Sequence, residues 1–227
     1  MEESTLTKNL EFFNTALKGT GCKLIAVSKT KPIEMLEAAY KAGIRIFGEN
    51  KVQEMADKHN ALPQDIEWHM IGHLQTNKVK YIAPFVSMIH SVDSLKVLKE
   101  INKRAAQNDR IIDCLFQIHI AEEDTKFGLN ENELFELIES DTFKNMQNVR
   151  MKGLMGMATF TDNLEQVKNE FASLRILFNK TGSKYVADNL DFTEISMGMS
   201  NDYQIAIKEG STMIRVGSLI FGEREKK

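Results

Sequence analysis

Lys29 is the residue whose type and position most strongly suggest chemistry in this sequence. A two-residue period places Ile25, Val27 and Lys29 on one face of a predicted strand. A lysine at the buried end of a strand must be neutralised, paired or used, because an isolated buried charge is costly. Burial and the neighbouring cation Lys31 would both favour the neutral amine, which can form a Schiff base. The alternative is a strand-end lysine that reaches solvent or pairs with Glu49.

Two hydroxyl-bearing segments near the C-terminus could hold a phosphate. Ser200 and Asn201 precede a predicted helix, Asp202–Lys208, whose first N–H groups and a nearby hydroxyl can meet an anion. Gly217 allows close approach of the backbone, and Ser218 adds a second hydroxyl. The alternative is that Ser200 only caps the helix and the glycines form turns.

Arg215 is the third candidate. It shares a strand face with Met213 and Gly217, so it is expected to point the same way as the phosphate segment. An arginine inside a fold needs an acceptor, and the nitrogen of a pyridine ring can serve as one. The alternative is an ion pair with Glu194 or Glu67. A lysine amine, a phosphate cup and this arginine together would suit pyridoxal 5′-phosphate (PLP).

The predicted secondary structure around these residues repeats one pattern: a short apolar run, a turn and a helical stretch. Strict alternation of strand and helix indicates parallel strands with helical crossovers. After a first helix at Thr5–Lys18, eight such units favour a single (β/α)8 TIM barrel over the alternative, an open doubly wound sheet. One domain over residues 1–227 is predicted, with function at the C-terminal ends of the strands. The predicted strands are Lys23–Ser28, Ile44–Gly48, Ile66–Ile71, Val86–Ser91, Ile111–Ile120, Met151–Met157, Glu194–Met197 and Met213–Gly217.

Composition narrows the classes of function. Hydrophobic residues make up 42% and charged residues 27%, and the net charge of -3 gives no electrostatic case for nucleic acid or an anionic membrane. The apolar runs are too short to span a bilayer, and residues 1–21 resemble no targeting peptide. Cys22 and Cys114 read as buried reduced thiols rather than a disulfide or metal site. We therefore expect a cytoplasmic protein.

Several motifs in collinear order resemble those of the pyridoxal phosphate homeostasis proteins, a family similar to the barrel domain of alanine racemase. The resemblance covers almost the whole chain and implies a fold-type III PLP barrel without the C-terminal β-domain of the racemases. The segments that carry it are 27–32 (VSKTKP), 47–50 (FGEN), 52–54 (VQE), 68–78 (WHMIGHLQTNK), 153–157 (GLMGM), 196–202 (SMGMSND) and 215–217 (RVG).

This resemblance implies a role for each site residue. Lys29 would carry PLP as a Schiff base, and Arg215 would face the pyridine nitrogen. Ser200, Gly217 and Ser218 would hold the phosphate, and Asn50 would lie near the ring. Lys126 matches a family lysine suggested to assist cofactor exchange, although residues 121–124 (AEED) depart from the usual pattern and leave the shape of that loop open.

The resemblance also implies an intracellular PLP carrier and regulator without catalytic turnover, acting on vitamin B6 homeostasis. The alternative is an amino-acid racemase or a related PLP enzyme. A sugar-phosphate isomerase would fit the phosphate cup but would leave Lys29 and Arg215 unexplained. Expected partners are PLP and apo PLP-dependent enzymes, with no nucleic acid or membrane, and we expect a monomer although no feature fixes the oligomeric state.

The remaining histidines favour structural roles. His69 and His73 are four residues apart but lie at a predicted strand end, where no third ligand is spaced to join a metal site. Hydrogen-bonded loop histidines are the better interpretation, and His90 and His119 are expected to be satisfied core or rim residues.

Overall fold

The computed structural model of the protein describes residues 3–122 and 127–223. Eight parallel strands close into a barrel in sequence order, with β1 bonded to both β2 and β8. The predicted TIM barrel is confirmed, and the open sheet is excluded. The strands are β1 Lys23–Val27, β2 Ile46–Glu49, β3 Glu67–Met70, β4 Met88–Val92, β5 Ile112–Ile118, β6 Val149–Gly156, β7 Leu190–Ser196 and β8 Met213–Val216.

Helices cover the outside of the barrel. The helices are α1 Glu3–Ala16, α2 Ile33–Lys41, α3 Val52–Ala61, α4 Leu95–Ala106, α5 Glu131–Glu139, α6 Asp141–Lys144, α7 Leu164–Lys184, α8 Tyr203–Lys208 and α9 Ser218–Phe221, with a 3₁₀ helix at Thr76–Tyr81. The extra helix α1 packs where the barrel closes, because the Phe13 ring meets Tyr203 at 5.4 Å and Asn9 Nδ2 donates to the Ile220 carbonyl at 3.1 Å. The N-terminal helix thus braces the segments that follow β7 and β8.

The core has two layers, as the two-residue period of each strand requires. The outer layer lies between strands and helices and contains most of the buried apolar side chains. The inner layer fills the barrel and is small: it consists of Ile25, Met88, Leu115, Met155 and Met213, with Ile46 packed against it. Since Ile25 and Met213 face inward, the next inward positions on β1 and β8 lead to Lys29 and Arg215.

Several predicted boundaries differ from the structure. Strand β7 begins at Leu190, whereas the sequence predicts a start at Glu194. The prediction misses the first half of the strand because Asp191 and Thr193 interrupt its apolar run. Helix α1 ends at Ala16 rather than Lys18. Leu164, the first residue of α7, lies at the edge of a pocket and is 61% exposed.

Candidate functional site

A pocket of about 640 Å³ opens at the C-terminal ends of the strands. This is the end of a (β/α)8 barrel where βα loops converge and function is usually found. The structure brings all the predicted site residues to this one pocket. They are Lys29, Asn50, Ser200, Arg215, Gly217 and Ser218.

Lys29 lies in the turn after β1, where it is partly buried and lines the pocket. The turn is tight, since Thr30 has a φ of 64°, a left-handed conformation that is uncommon outside glycine. The Thr30 N–H donates to Glu54 Oε1 of helix α3 at 2.5 Å. The segment that carries Lys29 is therefore fixed to α3 by a charge-assisted hydrogen bond.

A buried ionic cluster, formed by Glu49, Glu54, Lys58 and Ser28, lies behind this turn. Lys58 Nζ donates to Glu49 Oε1 (2.7 Å), Glu54 Oε1 (2.7 Å) and the Ser28 carbonyl (2.8 Å). The Ser28 hydroxyl also donates to Glu49 Oε1, at 2.6 Å. Burial raises the pKa of the Glu49 carboxyl, although Lys58 and Ser28 oppose the shift. The ionic cluster was missed at the sequence level, although the i,i+4 spacing of Glu54 and Lys58 hints at it.

Arg215 enters the pocket from β8 and is 4% exposed. Its Nη1 donates to Ser196 Oγ at 2.6 Å and its Nη2 to the Gly156 carbonyl at 2.9 Å. The predicted alternative, an ion pair with Glu194 or Glu67, is wrong. Glu194 binds Lys23 and Thr212 at the opposite end of the barrel, and Glu67 is exposed. Burial lowers the pKa of Arg215 to about 10, while the nearby Asp202 carboxylate opposes this.

Two histidines continue the hydrogen bonding of Arg215 into the barrel. His90 Nδ1 lies 3.0 Å from Ser196 Oγ, and His90 Nε2 lies 2.9 Å from His69 Nδ1. Burial, with a smaller effect of the Lys23 charge, lowers the pKa of His69 to about 3, and burial also holds the pKa of His90 well below its usual value. His90 is a satisfied core residue as predicted. His69 lies in β3, within the predicted strand, and is hydrogen-bonded as expected, but it faces the barrel interior rather than a loop.

His73 and His119 complete the set of predicted histidines. His73 Nδ1 lies 3.1 Å from Asp93 Oδ2, so it is the hydrogen-bonded loop histidine that the sequence predicts. His119 follows β5 and is partly buried, with its N–H bonded to the Leu129 carbonyl. Within residues 3–122 and 127–223, no group of three metal-ligating side chains is found.

The expected phosphate segments lie side by side. Gly217 and Ser218 begin the short helix α9, and Ser200 lies between β7 and α8. A Cβ at Gly217 would lie 3.1 Å from the Val27 carbonyl oxygen, so a larger residue would push β8 away from β1. Ser200 is not a helix cap. Asp202 takes that position and accepts the Met199 N–H at 2.5 Å, which leaves the Ser200 side chain at the pocket wall.

Asn50 follows β2 and provides a polar atom that lacks a partner. Its Oδ1 is buried and has no hydrogen bond among the described residues, an arrangement that costs free energy unless a ligand or water satisfies it. Gly72 allows the backbone after β3 to pass close to Asn50. A Cβ at residue 72 would lie 2.5 Å from the backbone carbonyl oxygen of Asn50, which is too close. A bound molecule with a hydrogen-bond donor would find an unused acceptor at Asn50 Oδ1.

The loop between β6 and α7 forms a wall of the pocket that the sequence did not indicate. Met157 and Phe160 line the opening, and Phe160 is 83% exposed. The buried carboxylate of Glu170 anchors this loop, since its oxygens accept both the N–H and the hydroxyl of Thr159 at 2.7 Å. The sequence predicts a helix in this region but gives no reason to single out Glu170.

Other predictions concern residues away from the pocket. Lys126 lies outside the described residues. Cys22 and Cys114 are free and buried, as predicted, and burial raises the pKa of the Cys22 thiol to about 11. A helix long and apolar enough to cross a bilayer is not found in the described part of the chain.

The geometry suits PLP at three points: an amine at Lys29, a guanidinium at Arg215 whose hydrogen-bond acceptors are both neutral, and an unsatisfied amide oxygen at Asn50. The described side chains that line the pocket also carry more positive than negative charge. The cations are Lys29, Lys31 and Arg215, and the acids are Asp162 and Asp202. This balance favours an anionic ligand.

Comparison with known proteins agrees with this geometry. The model of the alanine racemase N-terminal domain matches residues 2–225. The pyridoxal phosphate homeostasis protein of Aquifex aeolicus is 41% identical over 92% of this chain and 90% of its own length. The human protein of that name is 38% identical over 89% of this chain and 77% of its length.

Solved structures give the same relationship. PipY of Synechococcus elongatus, solved with PLP bound, has a TM-score of 0.86 and 33% identity, covering 96% of this chain and 100% of that chain. Alanine racemase of Clostridium difficile has a TM-score of 0.70 at 14% identity over 58% of its length, a likeness of fold alone. Sequence and fold together show that this chain belongs to the pyridoxal phosphate homeostasis protein family.

Proposed function

We propose that this protein binds PLP at Lys29 and acts in PLP homeostasis. The observation that carries the proposal is the convergence of Lys29, Arg215 and the Ser200, Gly217 and Ser218 segments on one pocket. When bound, PLP supplies an aldehyde that condenses with a lysine amine. The names of the relatives and the PLP in the PipY structure support the same ligand.

Each residue has a role set by its surroundings. Lys29 provides the amine, on a turn that α3 holds in place. Arg215 donates toward the ring nitrogen, because its other donors are fixed on Ser196 and Gly156. Ser200, Ser218 and the backbone of Gly217 hold the phosphate, since the first N–H groups of α9 have no intrahelical acceptor. Asn50 binds a polar group of the ring.

We propose further that the chain is a cytoplasmic carrier, with residues 1–227 acting as one monomeric domain that passes PLP to apo-enzymes. A two-base racemase needs a second base opposite the lysine. The described residues of the pocket wall include no tyrosine, histidine or cysteine. Of the other ionisable groups there, Asp202 accepts the Met199 N–H, Lys31 Nζ donates to the carbonyls of Phe221 and Gly222, and Asp162 is exposed at the rim. A permanent cation at the ring nitrogen also weakens the ring as an electron sink.

A phosphate-specific binding test examines the proposed site. Ser200→Glu would place a negative charge against the phosphate and remove a hydroxyl donor. A hydrogen bond to a charged group is worth about 1.5–3 kcal/mol, so PLP affinity should fall at least about tenfold. Pyridoxal, which lacks the phosphate, should bind the variant almost as well as it binds the wild type. Absorbance titration of both ligands measures this.

Two outcomes would count against the proposal. Equal losses for PLP and pyridoxal would give Ser200 a structural role. If the absorbance of the wild type with PLP does not change, the proposed function is wrong. Ser173→Ala, at an exposed hydroxyl on α7 that donates to its own helix, is a control that should leave both affinities unchanged.

A further inference from the structure

A continuous chain of side chains joins Arg215 to the middle of the barrel. It runs from Arg215 to Ser196 (2.6 Å), from Ser196 to His90 (3.0 Å) and from His90 to His69 (2.9 Å). All four residues are at most 4% exposed. They come from β8, β7, β4 and β3, so the chain crosses the barrel interior.

The donors in this chain can be assigned from chemistry. A guanidinium only donates, so Ser196 Oγ accepts from Arg215. The Ser196 hydroxyl proton then needs an acceptor, and His90 Nδ1 is the one within reach. His90 must therefore carry its proton on Nε2, which donates to His69 Nδ1. Every donor points away from Arg215, and bonds aligned in this way strengthen one another.

The opposite assignment is less favourable. If His90 Nδ1 donated to Ser196, the serine hydroxyl would be left with its proton buried and without an acceptor among the described contacts. A buried unsatisfied donor is costly. Two neutral imidazoles also fit the low pKa values of both histidines.

We propose that His69 and His90 are positioning residues that act through Ser196 to aim Arg215 at the ring nitrogen of the bound cofactor. The proposal rests on the proposed function, since it takes PLP as the ligand of the pocket. His90 fixes the Ser196 hydroxyl as an acceptor for Arg215, and His69 fixes the ring of His90. The Gly156 carbonyl holds the second nitrogen of the guanidinium. No carboxylate hydrogen-bonds to this chain, so its contacts orient the guanidinium of Arg215 through neutral groups, while Asp202 acts on it only from nearby.

The experiment compares two probes, PLP and its 1-deaza analogue, in which a C–H replaces the ring nitrogen. Dissociation constants are measured with the full-length protein by absorbance titration. The wild type should prefer PLP, because the analogue cannot accept from Arg215. Ser196→Ala and His90→Leu should each weaken PLP binding by about tenfold, as expected for one misdirected hydrogen bond to a charged group. Both variants should change the affinity for the analogue less than about twofold.

Two further variants separate positioning from packing. His90→Asn keeps an amide close to the position of Nδ1 and should restore most of the affinity for PLP. Ser211→Ala is the matched control, because Ser211 is also buried, and its hydroxyl donates to backbone carbonyls including those of Met197 and Met213. It should lower the melting temperature and leave the ratio of PLP to analogue affinity unchanged.

Equal losses for both probes in Ser196→Ala would overturn the proposal, since a packing defect does not distinguish nitrogen from carbon. Unchanged PLP binding in a folded His90→Leu would also overturn it. Equal affinity of the wild type for the two probes would show that Arg215 does not meet the ring nitrogen, while PLP binding at Lys29 would still stand. Failure of the wild type to bind PLP at all would instead contradict the proposed function.

Discussion

The two sides of the pocket are supported in opposite ways. On the side of β1, the turn that carries Lys29 is backed by charges: Lys58 contacts Glu49, Glu54 and the Ser28 carbonyl. On the side of β8, Arg215 is held by neutral groups, the Ser196 hydroxyl and the Gly156 carbonyl. The two sides are about equally buried, so burial does not explain the difference.

The difference follows from what each cation does. Lys58 is a structural cation, and its charge is compensated within the protein by two carboxylates. Arg215 keeps its charge for the pocket, because hydroxyl and carbonyl acceptors orient a guanidinium without neutralising it. Lys58, which braces the turn, therefore has acidic hydrogen-bond partners, whereas Arg215 at the pocket has only neutral ones.

The largest expected effect comes from removing the structural cation. Lys58→Met would leave the Glu49 carboxylate, which is 0% exposed, without its compensating charge. Breaking a buried ion pair in this way costs about 3–5 kcal/mol of unfolding free energy. Chemical denaturation of the variant and the wild type measures the loss.

A double variant provides the control. Lys58→Met combined with Glu49→Gln removes both charges and should recover part of the lost stability, because an amide is less costly to bury than an unpaired carboxylate. A loss below about 1 kcal/mol in the single variant would mean that Glu49 is hydrated and that the ionic cluster does not brace the turn.

The buried histidines on the side of Arg215 predict that the unfolding free energy depends on pH. The pKa of His69 is about 3 in the folded state and near 6.5 when unfolded, so the unfolded chain binds more protons between these values. The unfolding free energy should therefore fall as the pH is lowered through this window. His69→Asn should reduce the slope by about 1.4 kcal/mol per pH unit between about pH 5.5 and 4.5. Identical slopes would indicate that the folded protein binds a proton at His69.

The smallest expected effect tests the proposal that the charge of Arg215 suppresses turnover. Arg215→Glu would replace a donor with an acceptor and favour a protonated ring nitrogen. A change of one pKa unit corresponds to about tenfold, so α-hydrogen exchange of added amino acids in heavy water should rise by roughly that factor. Racemisation should stay low for want of a second base.

The exchange experiment uses matched PLP occupancy, with Arg215→Gln as a variant that removes the charge without reversing it. If the wild type already racemises alanine at rates typical of enzymes, the carrier proposal is wrong. If Arg215→Glu binds PLP but shows no increase in exchange, the charge of Arg215 is not what limits the chemistry.

The fold and the polar residues proposed to hold the ligand could be predicted from the sequence, but the wall of the pocket between β6 and α7 could not. Alternating apolar runs and amphipathic helices predicted the closed barrel, because parallel strands need helical crossovers. The position of Lys29 just past the end of β1 predicted its place at the pocket, and a two-residue period placed Arg215 inside the barrel. Both depend on local periodicity and on the rule that barrel sites lie at the C-terminal ends of strands.

The hydrogen bonds that hold Lys29 and Arg215 in place could not be predicted from the sequence, because each of them joins elements that are distant in sequence. Lys58 meets Ser28 across α3 and β1, and Ser196 joins His90 to Arg215 across three strands. Periodicity assigns a side chain to the barrel interior but does not say which inward residues touch. His69 lies in a predicted strand, but its contact with His90 was missed because the two histidines come from different strands.

The most direct test of the account is borohydride reduction of the purified protein after incubation with PLP, followed by peptide mapping. Lys29 and Lys31 lie two residues apart at the same pocket, so fragment ions must separate them. The protein should be yellow and carry a pyridoxyl group on Lys29 that is lost in Lys29→Ala and retained in Lys31→Ala. A label on Lys31 or Lys126 in the wild type, or no label at all, would contradict it.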